Sequence, residues 1–375
     1  MGKVRVPWFG RDREPVRRGW LRGAPPPVWV RVLPWALAAG TCVATLVSPH
    51  ALDIGFLLGA IPPLAGLSYG PLATALLGAA SIGLLTVPAF HLNDPGQTDL
   101  LTVLFVAVLS VFVSFVRSRR DAQLDLERTV AEAAQRAVVP PLPERVGPVG
   151  CVGLYRAAQR GTLVGGDFFD VRAGPYGVRA VMGDVQGHGL SAVSTVASLL
   201  GAFREAVLDL PELEAVAARL DRRLVVDSAR SEHAELFATA VLLEFSADAG
   251  AVRMVACGHP SPVLLRDGRV TEIDVEAWTP LGLGLSDVGP PSGATLRLRP
   301  GDRLFLASDG VWEARDTDGS FYPFVDRLAR LADGDPASMA ERVWADLLGH
   351  APEIRDDVTM LVLTPLAQPP AQQAS

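Results

Sequence analysis

The pattern of apolar and polar positions changes character near Arg117. Between Val32 and Val116 apolar residues fill four stretches, at about 32–48, 51–69, 71–90 and 98–116. Each is near the ~20 residues that an α-helix needs to cross a ~30 Å hydrocarbon core, so a membrane domain of about four helices is expected over residues 29–117. Pro62-Pro63 within the second stretch and Gly70-Pro71 before the third predict kinks or a re-entrant hairpin. Ser48-Pro49-His50 is a short separator and His91–Thr98 a polar loop. Residues 119–138 then carry a loose helical stripe of Leu124, Leu126, Val130, Ala133 and Ala134, stopped by Pro140-Pro141-Leu142-Pro143. This defines a connector over 118–146. Beyond it, residues 147–366 read as a soluble domain of short strands and helices. Thr239–Phe245 and Val252–Cys257 are expected to pair, Asp267-Gly268 signals a hairpin between Val263–Leu265 and Val270–Ile273, and Leu190–Leu210 reads as a helix packed on a sheet. Residues 1–28 form a basic tail, and 367–375 are expected to be a flexible one.

Charge adds orientation to this division. Residues 32–116 hold no Lys or Arg, and Asp53, Asp94 and Asp99 are their only acids. Basic residues flank the block: Lys3, Arg5, Arg11, Arg13, Arg17, Arg18, Arg22 and Arg31 before it, Arg117, Arg119 and Arg120 after it. The positive-inside rule therefore puts both termini and the soluble domain in the cytoplasm of a multi-pass cell-membrane protein, with an even number of crossings. Four crossings, or two plus a re-entrant pair, satisfy it. The apolar block is too long for a signal peptide. No ionisable group falls in mid-span, which favours an anchor or sensor over a transporter. After Arg117 there are 25 basic and 36 acidic residues, which excludes a nucleic-acid binder. Cys42, Cys151 and Cys257 are too scattered for a zinc site or a disulfide framework. The connector reads either as a solvated spacer or as a helix that dimerises and passes on a signal; its few heptads leave both open.

Four segments of the soluble domain place aspartate beside glycine or a second aspartate, next to an apolar strand-like run. They are Val164–Asp170 (VGGDFFD), Val181–Gly189 (VMGDVQGHG), Leu304–Gly310 (LFLASDG) and Asp356–Val362 (DDVTMLV). Any one of them reads as an ordinary turn at a strand end. Four in one domain point to a site built from carboxylates, of the all-oxygen kind that holds Mg²⁺ or Mn²⁺ and clamps a phosphate. The letters of Gly165–Phe169 approach the GGDEF signature of diguanylate cyclases, but Phe168 stands where that signature is acidic, and the other motifs have no place in that fold. Pro280–Gly284 is Gly-rich but lacks the Gly-Lys-Ser/Thr of a phosphate-cradling loop.

GGDFFD, GDVQGHG, CGHPSPVLL, LFLASDG and DDVTMLVL, in this order and spacing over residues 147–366, resemble the PPM-type protein phosphatases. The resemblance is closest to their bacterial branch, related to the stage II sporulation phosphatase E. It implies an α+β domain, a β-sandwich of two antiparallel sheets flanked by helices, following the helical transmembrane domain. It also implies a centre of two Mn²⁺ or Mg²⁺ ions. By motif, Asp184 would bridge the ions with the Val185 carbonyl beside it, Asp309 and Asp356 would complete one shell, and Asp167 would be the acidic ligand of the first motif. Asp170 and Asp357 would bind through water or orient the others. Eukaryotic members hold phosphate with an Arg near the first motif; Arg160 is not assigned that role, because this branch generally lacks it. His188 is open to two readings, general acid toward the leaving seryl oxygen or cap of the helix beginning near Leu190. His259 reads as structural.

The implied activity is hydrolysis of phosphoserine or phosphothreonine on a protein, with an anti-sigma-factor antagonist as the implied partner and the membrane domain as the source of a signal. The competing readings are a catalytically silent phosphatase fold that binds a partner, and an output scaffold of a membrane sensor. An intact set of acidic positions favours activity.

Overall fold

A computed structural model describes residues 28–47, 55–86, 97–139, 141–156, 165–229, 236–285, 289, 292–354 and 356–366. The basic tail before residue 28, the separator at Ser48-Pro49-His50 with Asp53, most of the His91–Thr98 loop with Asp94, and Pro140, Arg160, Val164 and residues 367–375 lie outside the described residues. The chain divides into two compact units, one within Pro15–Glu127 and one within Arg128–Ser375.

The first unit contains α1 (Val28–Val47), a 3-10 turn at Gly55–Ala60, α2 (Ile61–Ser68), α3 (Pro71–Leu85) and the first part of α4 (Gln97–Val138). The second apolar stretch is thus two short pieces rather than one long helix. Pro62-Pro63 lie in the first turn of α2, where a missing N–H breaks no helical bond, so they start a helix instead of kinking one. Leu58, Ile61, Ala65 and Leu77 make the core of this unit. Small residues let its helices approach: a Cβ on Gly78 would stand 3.2 Å from that of Ala107. At one end the Tyr69 hydroxyl donates to the Arg31 carbonyl (2.6 Å), Ser114 Oγ to the Tyr69 carbonyl (3.0 Å) and Arg117 Nη1 to the Leu67 carbonyl (2.7 Å). Leu101, Phe105, Val108 and Phe112 of α4 are exposed. Among the described residues of this unit, Leu101–Leu124 alone is long and apolar enough to cross a membrane; the other apolar helices have 10–17 residues. Residues 119–138 are not a separate helix but the continuation of α4, since no Pro or Gly interrupts the run.

The second unit is built on two sheets. The first, all antiparallel, runs β1 (Arg145–Val146), β2 (Val149–Arg156), β12 (Val358–Pro365), β11 (Arg303–Ala307), β7 (Val263–Arg266) and β8 (Arg269–Glu272). The second runs β10 (Ala294–Arg297), β6 (Ala251–Cys257), β5 (Ala238–Phe245), β4 (Gly177–Val185) and β3 (Asp167–Gly174), with the short β9 (Ala277–Trp278) parallel to β6. Strand alternation sorts the side chains into layers. In β12, Leu361 and Leu363 join the core shared by both sheets, whereas Val358, Met360 and Val362 face α8 (Phe324–Leu331) and α9 (Pro336–His350). The second sheet is covered by α5 (Leu190–Asp209) and α6 (Leu213–Ser228), whose Leu200, Phe203 and Leu220 are fully buried. α5 is also apolar enough to cross a membrane by composition, yet its inner face is core. The architecture is the expected pair of antiparallel sheets flanked by helices.

Arg179 on β4 ties the helices to the sheet. It is fully buried and forms an ion pair with Glu244 directly opposite on β5. Its guanidinium also donates to the carbonyls of Leu210 and Pro211, each at 2.5 Å, which satisfies the end of α5 and fixes the turn into α6. We predict that Arg179→Met lowers unfolding free energy by roughly 3 kcal/mol, because it leaves Glu244 and two carbonyls without their donor. Urea denaturation followed by circular dichroism measures this, and a loss below about 1 kcal/mol would show that the turn is held by other contacts.

Candidate metal centre

The centre forms where strands of both sheets end side by side. Asp167 opens β3 and Asp184 lies near the end of β4, directly opposite it across the antiparallel ladder, so both carboxylates stand on the face toward the other sheet. The third carboxylate, Asp309, follows β11 at the start of α7 (Asp309–Trp312). Oxygens of Asp167, Asp184 and Asp309 all lie within 4.8 Å of one another. Ser308 joins β11 to β12: its N–H donates to the Thr359 carbonyl and its Oγ accepts from the Thr359 N–H, both at 3.0 Å. Thr359 in turn donates through Oγ1 to Asp167 Oδ2 at 2.5 Å.

Two glycines are required by space rather than by backbone angle. A Cβ on Gly166 would lie 2.1 Å from the Val185 carbonyl oxygen and 2.7 Å from Asp184 Oδ1; one on Gly165 would lie 2.1 Å from Asp357 Oδ2. The Gly165 N–H donates to that same oxygen at 3.0 Å, and the Tyr155 hydroxyl donates to it as well. Asp357 is therefore buried and held by two donors. Asp356 is exposed, and its Oδ1 accepts from the Asp357 N–H at 2.9 Å. Asp309, Glu313, Arg315, Glu353 and Asp356 line an adjoining cleft of about 270 Å³.

Crowding raises the proton affinity of the group. Burial, then the nearby charges of Asp184 and Asp357, holds Asp167 well above the usual carboxylate range. Burial and then Asp309 and Asp356 push Asp184 up to about 8, while burial and Asp356 push Asp309 up to about 6. A bound cation reverses the sign of these effects. The donors are all oxygens, carboxylates with the Val185 carbonyl beside Gly166, and they suit a hard divalent ion such as Mg²⁺ or Mn²⁺.

Not every expected residue joins the cluster. Asp170 lies three positions after Asp167, an odd step that turns its side chain to the opposite face of β3. There it pairs with Arg204 of α5 (2.6 Å) and Arg172 (2.9 Å), so it orients a helix rather than the other carboxylates. The capping reading of His188 does not hold: Gly189 is the residue before α5, at φ +81°, and among the described residues no side chain caps that end. His188 itself is exposed in the loop after β4. His259 is buried, with Nδ1 3.0 Å from Thr239 Oγ1, and burial drops its pKa to about 3, so its ring is neutral. Tyr155, Thr359 and Ser308 are site residues that the motifs did not single out. Thr359 lies two positions after Asp357, at the start of β12, a signal present in the sequence. Tyr155 is 202 positions away from Asp357 and is found only through the β2–β12 register, which pairs it with Thr359.

Residues 174–365 match the family described as stage II sporulation protein E (SpoIIE), a span that includes Asp184, Asp309 and Asp356 and begins just after the first motif. The chain is 28% identical over 180 residues to the phosphoserine phosphatase RsbP of Bacillus subtilis (strain 168). That match covers 48% of this chain and 43% of the relative, so the chain spans less than half of RsbP. The SiaA-PP2C domain of Pseudomonas aeruginosa superposes with a TM-score of 0.52 at 20% identity, covering 66% of this chain and 98% of that one, a likeness of fold. The RsbU and RsbW domains of a Mycobacterium tuberculosis protein give a TM-score of 0.49 at 25% identity, over 60% of this chain and 63% of that one.

The raised carboxyls set a pH dependence. Between the ordinary aspartate range near 4 and the value of about 8 for Asp184, the native state binds protons that the unfolded chain has released. The stability contributed by these protons is therefore full at low pH and lost as pH rises through that window. We predict that metal-free protein in EDTA melts at lower temperature at pH 8 than at pH 6. Asp184→Asn should flatten this slope and stabilise the metal-free form at pH 8 by roughly 1–3 kcal/mol. Scanning calorimetry checks both, and an unchanged slope in the variant would place the excess protons elsewhere.

Proposed function

Because the chain belongs to the stage II sporulation protein E (SpoIIE) family, we propose that it is a metal-dependent protein serine/threonine phosphatase anchored to the cell membrane. The observation that carries this reading is the convergence of Asp167, Asp184 and Asp309 within 4.8 Å beside an open cleft. Two Mn²⁺ or Mg²⁺ ions would be held by Asp167, Asp184, Asp309, Asp356 and the Val185 carbonyl. The chemistry that such ions supply when bound is Lewis-acid charge for phosphoryl oxygens and acidification of water. Thr359 keeps one Asp167 oxygen oriented, and Tyr155 with Gly165 does the same for Asp357. His188, four residues beyond Asp184 and exposed, is the candidate donor of a proton to the leaving seryl oxygen.

The substrate we propose is a phosphoprotein of the anti-sigma-factor-antagonist type, supported by the motif resemblance and by the phosphoserine phosphatase name of RsbP. Membrane anchoring is supported by the long apolar run that opens Leu101–Leu124, by its exposed apolar side chains, and by the absence of Lys and Arg over 32–116. An even number of crossings, four or two plus a re-entrant pair, with both ends cytoplasmic, and a homodimer through the connector part of α4, complete this reading.

Two experiments test it. Full-length protein in detergent micelles should release phosphate from a phosphoserine peptide with Mn²⁺ and not with EDTA. Asp309→Asn should cut turnover by more than the ~10–100-fold typical of residues that only support metal ligands. Turnover that persists in EDTA or in this variant would refute the assignment. In the cell, the chain should stay in the membrane pellet after alkaline carbonate extraction; release into the supernatant would remove the anchoring claim.

A further inference from the structure

The cleft next to the carboxylates is lined mainly by acids: Asp309, Glu313, Glu353 and Asp356. A phosphomonoester carries negative charge into it, so whatever enters beside Asp309 meets repulsion that a cation on the cleft wall would offset. Among the described residues, Arg315 is the cation on that wall.

Three features of Arg315 go together. Its guanidinium lies over the Phe321 ring, 4.1 Å from the centroid, which limits its rotamers and aims it. Phe321 is 52% exposed and thus places a large apolar ring in solvent directly under that charge. Among the described residues, no carboxylate forms an ion pair with Arg315, although Glu313, Asp316 and Asp318 are close in sequence. The Arg–Phe stack is not needed to close the local hairpin. Arg315 and Phe321 already bridge through the backbone, and Asp316 Oδ1 accepts from the N–H groups of Asp318 and Ser320 at 2.9 and 2.8 Å. The side chain is therefore held in place with its N–H edge uncommitted, in the fork geometry that matches two phosphate oxygens.

We propose that Arg315 is the substrate-binding residue that receives the phosphoryl oxygens in this cleft, positioned by its stack on Phe321. This rests on the phosphatase reading above and deepens it, since a phosphoryl group at Asp309 shares the cleft that Arg315 lines. The same contact accepts the phosphate of any phosphoserine or phosphothreonine side chain and the inorganic phosphate product.

The test uses the full chain in detergent, loaded with Mn²⁺, with p-nitrophenyl phosphate as substrate and inorganic phosphate as competing ligand. Arg315→Ala should raise both KM and the phosphate inhibition constant about tenfold, the loss of one charge-assisted contact, while Mn²⁺ affinity measured by calorimetry stays unchanged. Arg315→Lys should restore part of the loss, and Phe321→Ala should fall between wild type and Arg315→Ala. Phosphate inhibition within twofold of wild type in Arg315→Ala overturns the proposal, as does a parallel loss of Mn²⁺ affinity, which would mean that Arg315 acts on the carboxylates. If the wild type turns over nothing, the phosphatase reading fails separately. Calorimetric binding of inorganic phosphate to the Mn²⁺-loaded protein then decides on Arg315: loss of binding in Arg315→Ala supports it, and equal or no binding in both proteins rejects it.

Discussion

Mutual repulsion among carboxylates gathered at the ends of strands is the constraint around which the second unit is organised. Asp167 and Asp184 face each other across a ladder, an arrangement that by itself destabilises a sheet. Asp309 and Asp357 add charge to both. The surroundings are arranged to keep these groups together: hydroxyls of Thr359 and Tyr155 and the Gly165 N–H donate to them, and Gly166 leaves room where any side chain would intrude on the Val185 carbonyl. Such an arrangement costs stability until positive charge arrives, and this is the usual condition of a site selected for chemistry rather than for folding.

The two-sheet architecture explains how so much charge converges. No single strand or hairpin supplies the group. β3 and β4 belong to one sheet, β11 and β12 to the other, and the ends of all four meet at one rim. Ser308 and Thr359 lock the second pair by reciprocal bonds. Behind the rim, Arg179 holds the α5–α6 turn, and Arg204 of α5 joins Asp170 of β3 (2.6 Å) to the carbonyl of Val138 at the end of α4 (3.5 Å). The strand that begins with Asp167 is thus braced by ion pairs on one face and carries the site on the other.

In the first unit the prolines have a different role from the one their position within an apolar stretch suggests. Pro62-Pro63 and Pro71 open short helices, and glycine and hydroxyl residues let those helices pack closely on α4. Apolar side chains of α4, among them Leu101, Phe105, Val108 and Phe112, remain exposed.

Some of this is dictated by local chemistry and was legible in the sequence. A run without Lys or Arg, an Asp267-Gly268 turn with both residues at positive φ, alternating strands and aspartates beside glycines are properties of neighbouring residues, and they retain their meaning wherever the chain goes. The parity that turns Asp170 toward Arg204 was also available there, since β3 needs only its first residue to set which face each side chain takes. What tertiary structure alone decided is which distant segments lie side by side. The pairing of β2 with β12 brings Tyr155 to Asp357, and the fold of the segment after β11 puts Arg315 and Glu353 on the wall beside Asp309. The physical reason is that register and packing across long loops depend on the whole buried surface of the domain, whereas a turn, a helix start or a charge-free stretch depends on a few adjacent residues.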